Sequence, residues 1–416
     1  MADPKISIVN TLNLSQRQEF LHYARDCAER AGSSLSDFRA LLRYRDRAYQ
    51  RQLNTTAEHI KAVRANMQGD ARKMQDITVP IIMPQIESAV AYQAGIFLTS
   101  HPIFGVVSTP ENMSAAMQFE TVLGDQSVRY GWPRELLKIF RDGFKYNFAA
   151  ACVYWKKTPL KSVVTDTNIS SAGLAAIKEY SYGGNCIMRV DPYNSFMDMT
   201  VAPADLHSDG EYFGWNGIIS RVQLKRLLSL LDSDKTTSAT EAFNSSFAGS
   251  GQDEASAMSY YTPEINKYLD LSTVNIGGNN WGQWMGLSQG STSKLSYKDH
   301  YVLTHFYCRA LPSDFGSRGN QVKMYHGIII NWSTVIFVEE LNVAYDSLPC
   351  FIMQPYEDGL GYQTQSMLDN ALPFQDMSSA LWNVSLESKR RLIFDRLVYN
   401  PRLIDKKDID PVSSVS

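Results

Sequence analysis

The sequence is poor in the features that usually announce chemistry. Its 416 residues hold five cysteines, Cys27, Cys152, Cys186, Cys308 and Cys350, and no two form C-x-x-C. A structural zinc site needs paired ligands at short spacing, and the spacing here argues against one. Wide, odd-numbered cysteines point instead to reduced, mostly buried thiols in a cytosolic setting. The seven histidines are scattered, and none lies four residues from another. Neither G-x-x-x-x-G-K-[ST] nor G-x-G-x-x-G occurs, which removes support for phosphate-loop chemistry. Charge of one sign is lacking too. The 40 Lys and Arg nearly balance 43 Asp and Glu, for a net charge of −3. A globally basic nucleic-acid coat is excluded, and any polyanion contact would have to be local. The longest apolar runs, "VPIIMP" and "GIII", fall far short of the roughly 20 residues that span a bilayer. The N-terminus lacks the basic start and apolar run of a signal peptide. The expectation is a soluble cytoplasmic protein with no membrane partner.

What is present suffices for a sizeable core: 44% hydrophobic and 11% aromatic residues. The first quarter reads as helical. Ser15-x-x-Gln18 makes a capping box before "EFLHYARDCAERAG", and a second helix, "SDFRALLRYRDRAYQRQL", follows Gly32 with Ser36 as its N-cap. Thr55-x-x-Glu58 opens a third that ends near Gly69. Pro80 and Pro84 bracket a short apolar segment, and "QIESAVAYQAGIFLTS" reads as a buried helix, apolar nearly all round. "HPIFGVVS" reads as a strand. Two helices follow, "ENMSAAMQFETVLGDQSVRYG" and "PRELLKIFRDGFKYN", with Pro133 in a first turn. From Ala149 the texture turns to strands: "AAACVYWKK", "GGNCIMRVD" and "NSFMDMTV". "ISRVQLKRLLSLLDS" reads as a helix boxed by Ser220 and Gln223. Residues 232–294, rich in Ser, Thr, Gly and Asn, read as a long loop or insertion. Strands return with "DHYVLTHFYCRAL", "QVKMYHGIIINW" and "TVIFVEEL", with turns at Gly327 and at Asn331-Trp332-Ser333. A long helix from about Gln363 to Val398 comes last. Helices and strands in separate runs predict an α+β fold.

Three places invite a chemical reading. "RVDPYNSFMDMTVAPADLHSDGEYF" gathers Asp191, Asp198, Asp205, His207 and Asp209. A hard-metal site needs several convergent oxygens at regular offsets. Asp191-Pro192 initiates a turn, and the rest reads as a solvated corner. "GLSQG", residues 286–290, matches G-x-S-x-G, but a nucleophile elbow requires a strand before it and a helix after it. Here it sits in a low-complexity loop. Two basic runs remain. One is a helix face with Arg43, Arg47 and Arg51, beside Arg39 and Arg45. The other has Lys389, Arg390, Arg391, Arg396, Arg402, Lys406 and Lys407. Each is either a solvated face or a contact for a polyanion or an acidic partner. The residues predict no catalytic constellation, no metal and no cofactor.

Three segments in order resemble the portal proteins of tailed double-stranded DNA bacteriophages. They are "QDITVPIIMPQIESAVAYQAGIFLTSHPIF", "VDPYNSFMDMTVAPADLHSDGEYFGWNGIISRVQLKRLL" and "LPCFIMQPYEDGLGYQTQSMLDNALPFQDMSSALWNVSLESKRRLIF". The third carries Ser366, Gln375 and Asn383 where portals carry a Ser, a Gln and an Asn. The resemblance covers about Asp46 to Pro401. It implies a helix-rich N-terminal region (1–55), a β-rich wing region (56–362, holding the 232–294 insertion) and a stem-type helix with the start of a clip (363–416). It implies a ring, usually a dodecamer, at one capsid vertex of the virion, assembled in the host cytoplasm. DNA would pass through it non-specifically during packaging and ejection. The implied partners are the major capsid protein, a scaffolding protein, the terminase large subunit and a neck or adaptor protein. It implies no enzymatic activity of the ring itself. It would place Lys389, Arg390, Arg391, Arg396 and Arg402 toward the channel or a neighbouring subunit. Portals continue past the stem helix into a clip, a second stem helix and a crown, whereas about fifteen residues follow Pro401 here. Another head–tail connector or neck protein is the alternative.

Overall fold

The computed structural model describes residues 14–50, 78–100, 102–164, 176–220, 222–224, 300–315, 319–332, 334–341, 347–357, 359, 361–362 and 364–393. Helices and antiparallel sheets both contribute, so the class is α+β. The chain divides into two compact units. One joins Met1–Arg45 to Ile86–Met367; the other joins Asp46–Gln85 to Leu368–Ser416.

The first helix, α1, runs from Leu14 to Tyr49 without a break. The expected interruption at Gly32 and new cap at Ser36 do not occur. Phe20, Ala24, Cys27, Ala31, Leu35, Phe38 and Leu42 recur every three or four residues, and all are buried. Burial on both sides of Gly32 outweighs the ~1 kcal/mol that a mid-helix glycine costs. Helix α2 (Ile82–Phe97) keeps Pro84 in its first turn, where no intrahelical donor is lost. The expectation that it is buried all round is wrong: Ile82, Ile86 and Val90 face inward, while Met83, Tyr92, Ile96 and Phe97 are exposed. Residues 102–109 form no strand. Among the described residues no strand pairs with them, and Val107 is fully solvated. Helices α3 (Met113–Arg129) and α4 (Trp132–Tyr146) lie where the sequence places them. Gly131 turns the chain between them at φ 65°.

The first sheet pairs β1 (Ala149–Val164) with β2 (Ala176–Val190) on one side and β8 (Cys350–Met353) on the other, all antiparallel. The second is a five-stranded antiparallel sheet in chain order. Its strands are β3 (Ser195–Met197), β4 (Tyr212–Ser220), β5 (His300–Ala310), β6 (Lys323–Ile330) and β7 (Thr334–Glu340). A single turn of helix, α5 (Leu206–Asp209), lies between β3 and β4, and α6 (Met367–Ile393) ends the described chain. Ser220, expected to cap a helix, is the last residue of β4; only residues 222–224 of that helix are described. The Thr55 helix and the 232–294 insertion lie outside the described residues.

Gly327 is not a turn either. It sits mid-strand in β6, between Phe306 and Val338 of the neighbouring strands. A Cβ there would lie 2.4 Å from the Phe20 ring of α1. The glycine is a socket that admits an aromatic ring to the sheet surface. Phe20 meets Phe306 edge-on at 5.7 Å and Phe315 at 5.3 Å, at the centre of a cluster uniting α1 with both sheets. The turn at Asn331 and Trp332 is as expected, and both take left-handed backbone angles. It is held from several sides. Arg25 of α1 donates to the Trp332 carbonyl, and the Trp332 indole N–H donates to Asn216 Oδ1 at 3.1 Å.

Gly327→Ala is expected to destabilise the first unit by about 1–3 kcal/mol through overpacking. The double variant with Phe20→Leu should recover part of that loss. Denaturant unfolding of the single and double variants measures both.

Candidate interaction surfaces

The acidic corner is a piece of architecture. Arg189, where it begins, pairs its guanidinium with buried Asp142 of α4. Burial pushes the Asp142 carboxyl up, and the Arg189 charge opposes that. Asp191 closes an Asx turn, accepting from the Tyr193 amide at 3.3 Å and from Asn194 Nδ2 at 2.7 Å. Asp198 is buried. One oxygen accepts from the Thr200 amide at 3.0 Å and hydroxyl at 2.6 Å; the other accepts from the Glu211 amide at 3.1 Å. It thereby ends β3 at Met197, shorter than the sequence suggests. The Asp205 carbonyl accepts from Ser208, and His207 Nδ1 lies 2.9 Å from the Ala204 carbonyl. Asp205 and Asp209 are solvated. The carboxylates of Asp191 and Asp198 serve a turn and a strand end. Among the described residues no three His, Cys, Asp or Glu converge to hold a metal ion. "GLSQG" lies outside them.

A row of ionisable groups that spacing did not reveal crosses the second sheet. Glu339 of β7 is opposite His326 of β6, and His326 is opposite Tyr307 of β5. His326 Nδ1 stands 3.3 Å from Glu339 Oε1, and His305 Nδ1 stands 3.2 Å from His326 Nε2. Each ring donating through Nδ1 satisfies both contacts. Trp215 stacks on His305 at 4.9 Å, and Tyr307 stacks on His326 at 4.3 Å. Burial, then the neighbouring His326, pulls His305 down to about 3. Strand pairing alone brings these residues together, so only the register could have exposed the row.

His305 thus stays neutral when folded but accepts a proton near pH 6.5 when unfolded. Between pH 6.5 and about 3 the unfolded chain binds the extra proton, so stability falls as pH falls. This contribution is fully present above pH 6.5. His305→Phe keeps a stacking ring between Trp215 and His326 and removes the titration. Its stability should drop less steeply between pH 6.5 and 4.5 than the parent's, by up to about 1 kcal/mol per pH unit. Denaturant midpoints across that range provide the check.

Helix α6 has two faces. On one, Gln375 is buried and its Oε1 accepts from the amides of Ile81 and Ile82 at 3.1 and 3.2 Å. Those amides head α2 and have no intrahelical acceptor, so the glutamine caps that helix from outside. Ser379 accepts from the Val79 amide and donates to the Gln375 carbonyl. At 100° per residue the opposite face carries Phe374, Met377, Leu381 and Val384. Their spacing is three, four and three, and each is between 60% and 68% exposed. That is the pattern of a helix–helix seam. The flanking positions include Ser378, Ala380, Ser385 and Glu387. The first unit exposes further apolar groups on α3: Met113, Met117, Phe119, Val122 and Val128. The signal was legible in α6, where apolar residues recur on two stripes and one stripe suffices for packing within the unit.

The basic residues are placed unevenly. Arg43 and Arg47 stand exposed one turn apart on α1, while Arg45 between them turns inward and is buried. Lys389 is exposed near the end of α6. Arg390 and Arg391 belong to that helix, without described side chains. Arg51, Arg396 and Arg402 lie outside the described residues. Of the residues that carry the resemblance, Ser366 and Gln375 are buried and Asn383 is half-buried.

No family model and no curated protein matches this chain.

Proposed function

We propose that the chain is a structural subunit of a portal-type ring at a capsid vertex, a passage for double-stranded DNA. The observation that carries the reading is the solvated seam of α6. Four large apolar side chains left in water on one helix face are costly, at about 25 cal/mol per Å². They call for a protein surface to cover them. A second copy of this chain is the natural occupant: the seam's spacing suits a helix partner. The exposed apolar residues of α3 give each copy a second, different surface. Contacts between unlike surfaces generate rings when the rotation closes. The co-linear resemblance of three segments supports the same reading. In it the terminase, neck, capsid and scaffolding proteins meet the ring, and DNA makes weak, sequence-independent contacts with Lys389, Arg390 and Arg391.

Electron microscopy of the purified full chain should show rings with a central hole wide enough for a duplex. A single subunit or closed dimer at high concentration refutes the reading. Leu381→Glu should weaken association by about tenfold or more while leaving the far-ultraviolet helical signal intact, because it does not touch the buried face of α6.

A further inference from the structure

Cys152 of β1 and Cys350 of β8 stand directly opposite each other across the first sheet. The Val153 amide donates to the Pro349 carbonyl at 2.9 Å. Val153 and Pro349 therefore form a hydrogen-bonded pair of the ladder, and Cys152–Cys350 is the adjacent non-hydrogen-bonded pair. In such pairs the Cα atoms are about 4.5 Å apart and the side chains stand closest, on the same face. A disulfide bridges Cα separations of about 4.4–6.8 Å. Both side chains are buried, and the Cys152 thiol donates to the carbonyl of Val153 at 3.8 Å. The other cysteines have no such partner. Cys186 lies opposite Tyr154, Cys308 opposite Tyr212 and Tyr325, and Cys27 is on α1.

We propose that Cys152 and Cys350 are an oxidation site, forming a cross-strand disulfide by exchange with a low-molecular-weight disulfide such as oxidised glutathione. The order of events follows the topology. β8 is a four-residue strand at the sheet edge and its Phe351 is exposed, so its opening exposes Cys350 at low cost. The Cys350 thiolate attacks one glutathione sulfur, and the first glutathione leaves as a thiolate that takes up a proton. On reclosing, Cys152 gives up its proton and its sulfur attacks the Cys350 sulfur of the mixed disulfide. The second glutathione leaves and is protonated. Two protein thiols are oxidised and one disulfide is reduced to two thiols. Burial pushes the Cys350 thiol up, so the closed sheet is unreactive and opening sets the rate. The product ties segments far apart in the sequence, the case in which a crosslink constrains the unfolded chain most.

The test equilibrates the full chain in glutathione buffers from reducing to oxidising, followed by acid quench, alkylation under denaturing conditions and mass measurement. The expected product is lighter than the reduced chain by two hydrogens. It keeps three of the five thiols alkylatable and yields one crosslinked peptide pair containing Cys152 and Cys350. Its unfolding temperature should rise above that of the reduced chain. Cys350→Ser and Cys152→Ala should each keep the four remaining thiols free in the same buffers. Pairing of Cys27 with Cys308, stable glutathionylation without exchange, or five free thiols in the most oxidising buffer overturns the proposal. Should a variant fail to fold, the parent's peptide map decides alone.

Discussion

A guanidinium is buried where three segments of the first unit meet. Arg45, near the C-terminal end of α1, donates to the carbonyls of Tyr146 and Thr364. A charge removed from water is tolerated only with its donors satisfied. The arginine therefore dictates that the end of α4 and the approach to α6 lie against α1. Asn147 completes the joint. Its left-handed backbone stops α4, and its side chain exchanges two hydrogen bonds with the backbone of Tyr356, both at 2.8 Å. β1 leaves from this joint, and the strand order of the first sheet follows from it. The same residue belongs to a run that looks, in sequence, like one basic face. Burial separates Arg45 from Arg43 and Arg47, which face water.

The elements that spacing reveals are those whose partners are near or whose pattern is redundant. α3, α4 and strands β1, β2 and β5 to β7 follow from local alternation and propensity. The failures have a common cause in contacts made far along the chain. Gly32 looks like a stop until seven buried residues are counted through it. Gly327 looks like a turn until Phe20, some three hundred residues earlier, is found to occupy the space above it. The composition of "QIESAVAYQAGIF" suggests burial, yet apolar content does not tell which side of a helix finds neighbours. The row from Glu339 to His305 is invisible to any motif, because its members come from three strands and meet only through register. The seam of α6 was open to reading, since one helix cannot turn two opposite apolar stripes toward a single neighbour.

The polar groups of the first unit are consumed in building it. Asp191, Asp198 and Asn216 bond to backbone or to neighbouring side chains at turns, Arg189 balances Asp142, and the histidine row is sandwiched between aromatic rings. The groups left facing water include apolar residues on helices and arginines and lysines, together with carboxylates such as Asp205 and Asp209. Such a surface suits association and loose contact with a polyanion, which is the ground for reading the chain as a wall element.

The outer border of the first sheet bears on how copies of the chain can meet. Along β8, Cys350 and Ile352 alone turn their amides away from β1, because Phe351 and Met353 direct theirs inward. Two donors are too few to seed a continuous ladder with another polypeptide. Pairing with another strand along β8 is thus discouraged by brevity. A chain present in many copies at high local concentration can gather through its helices without a route to fibres along that border.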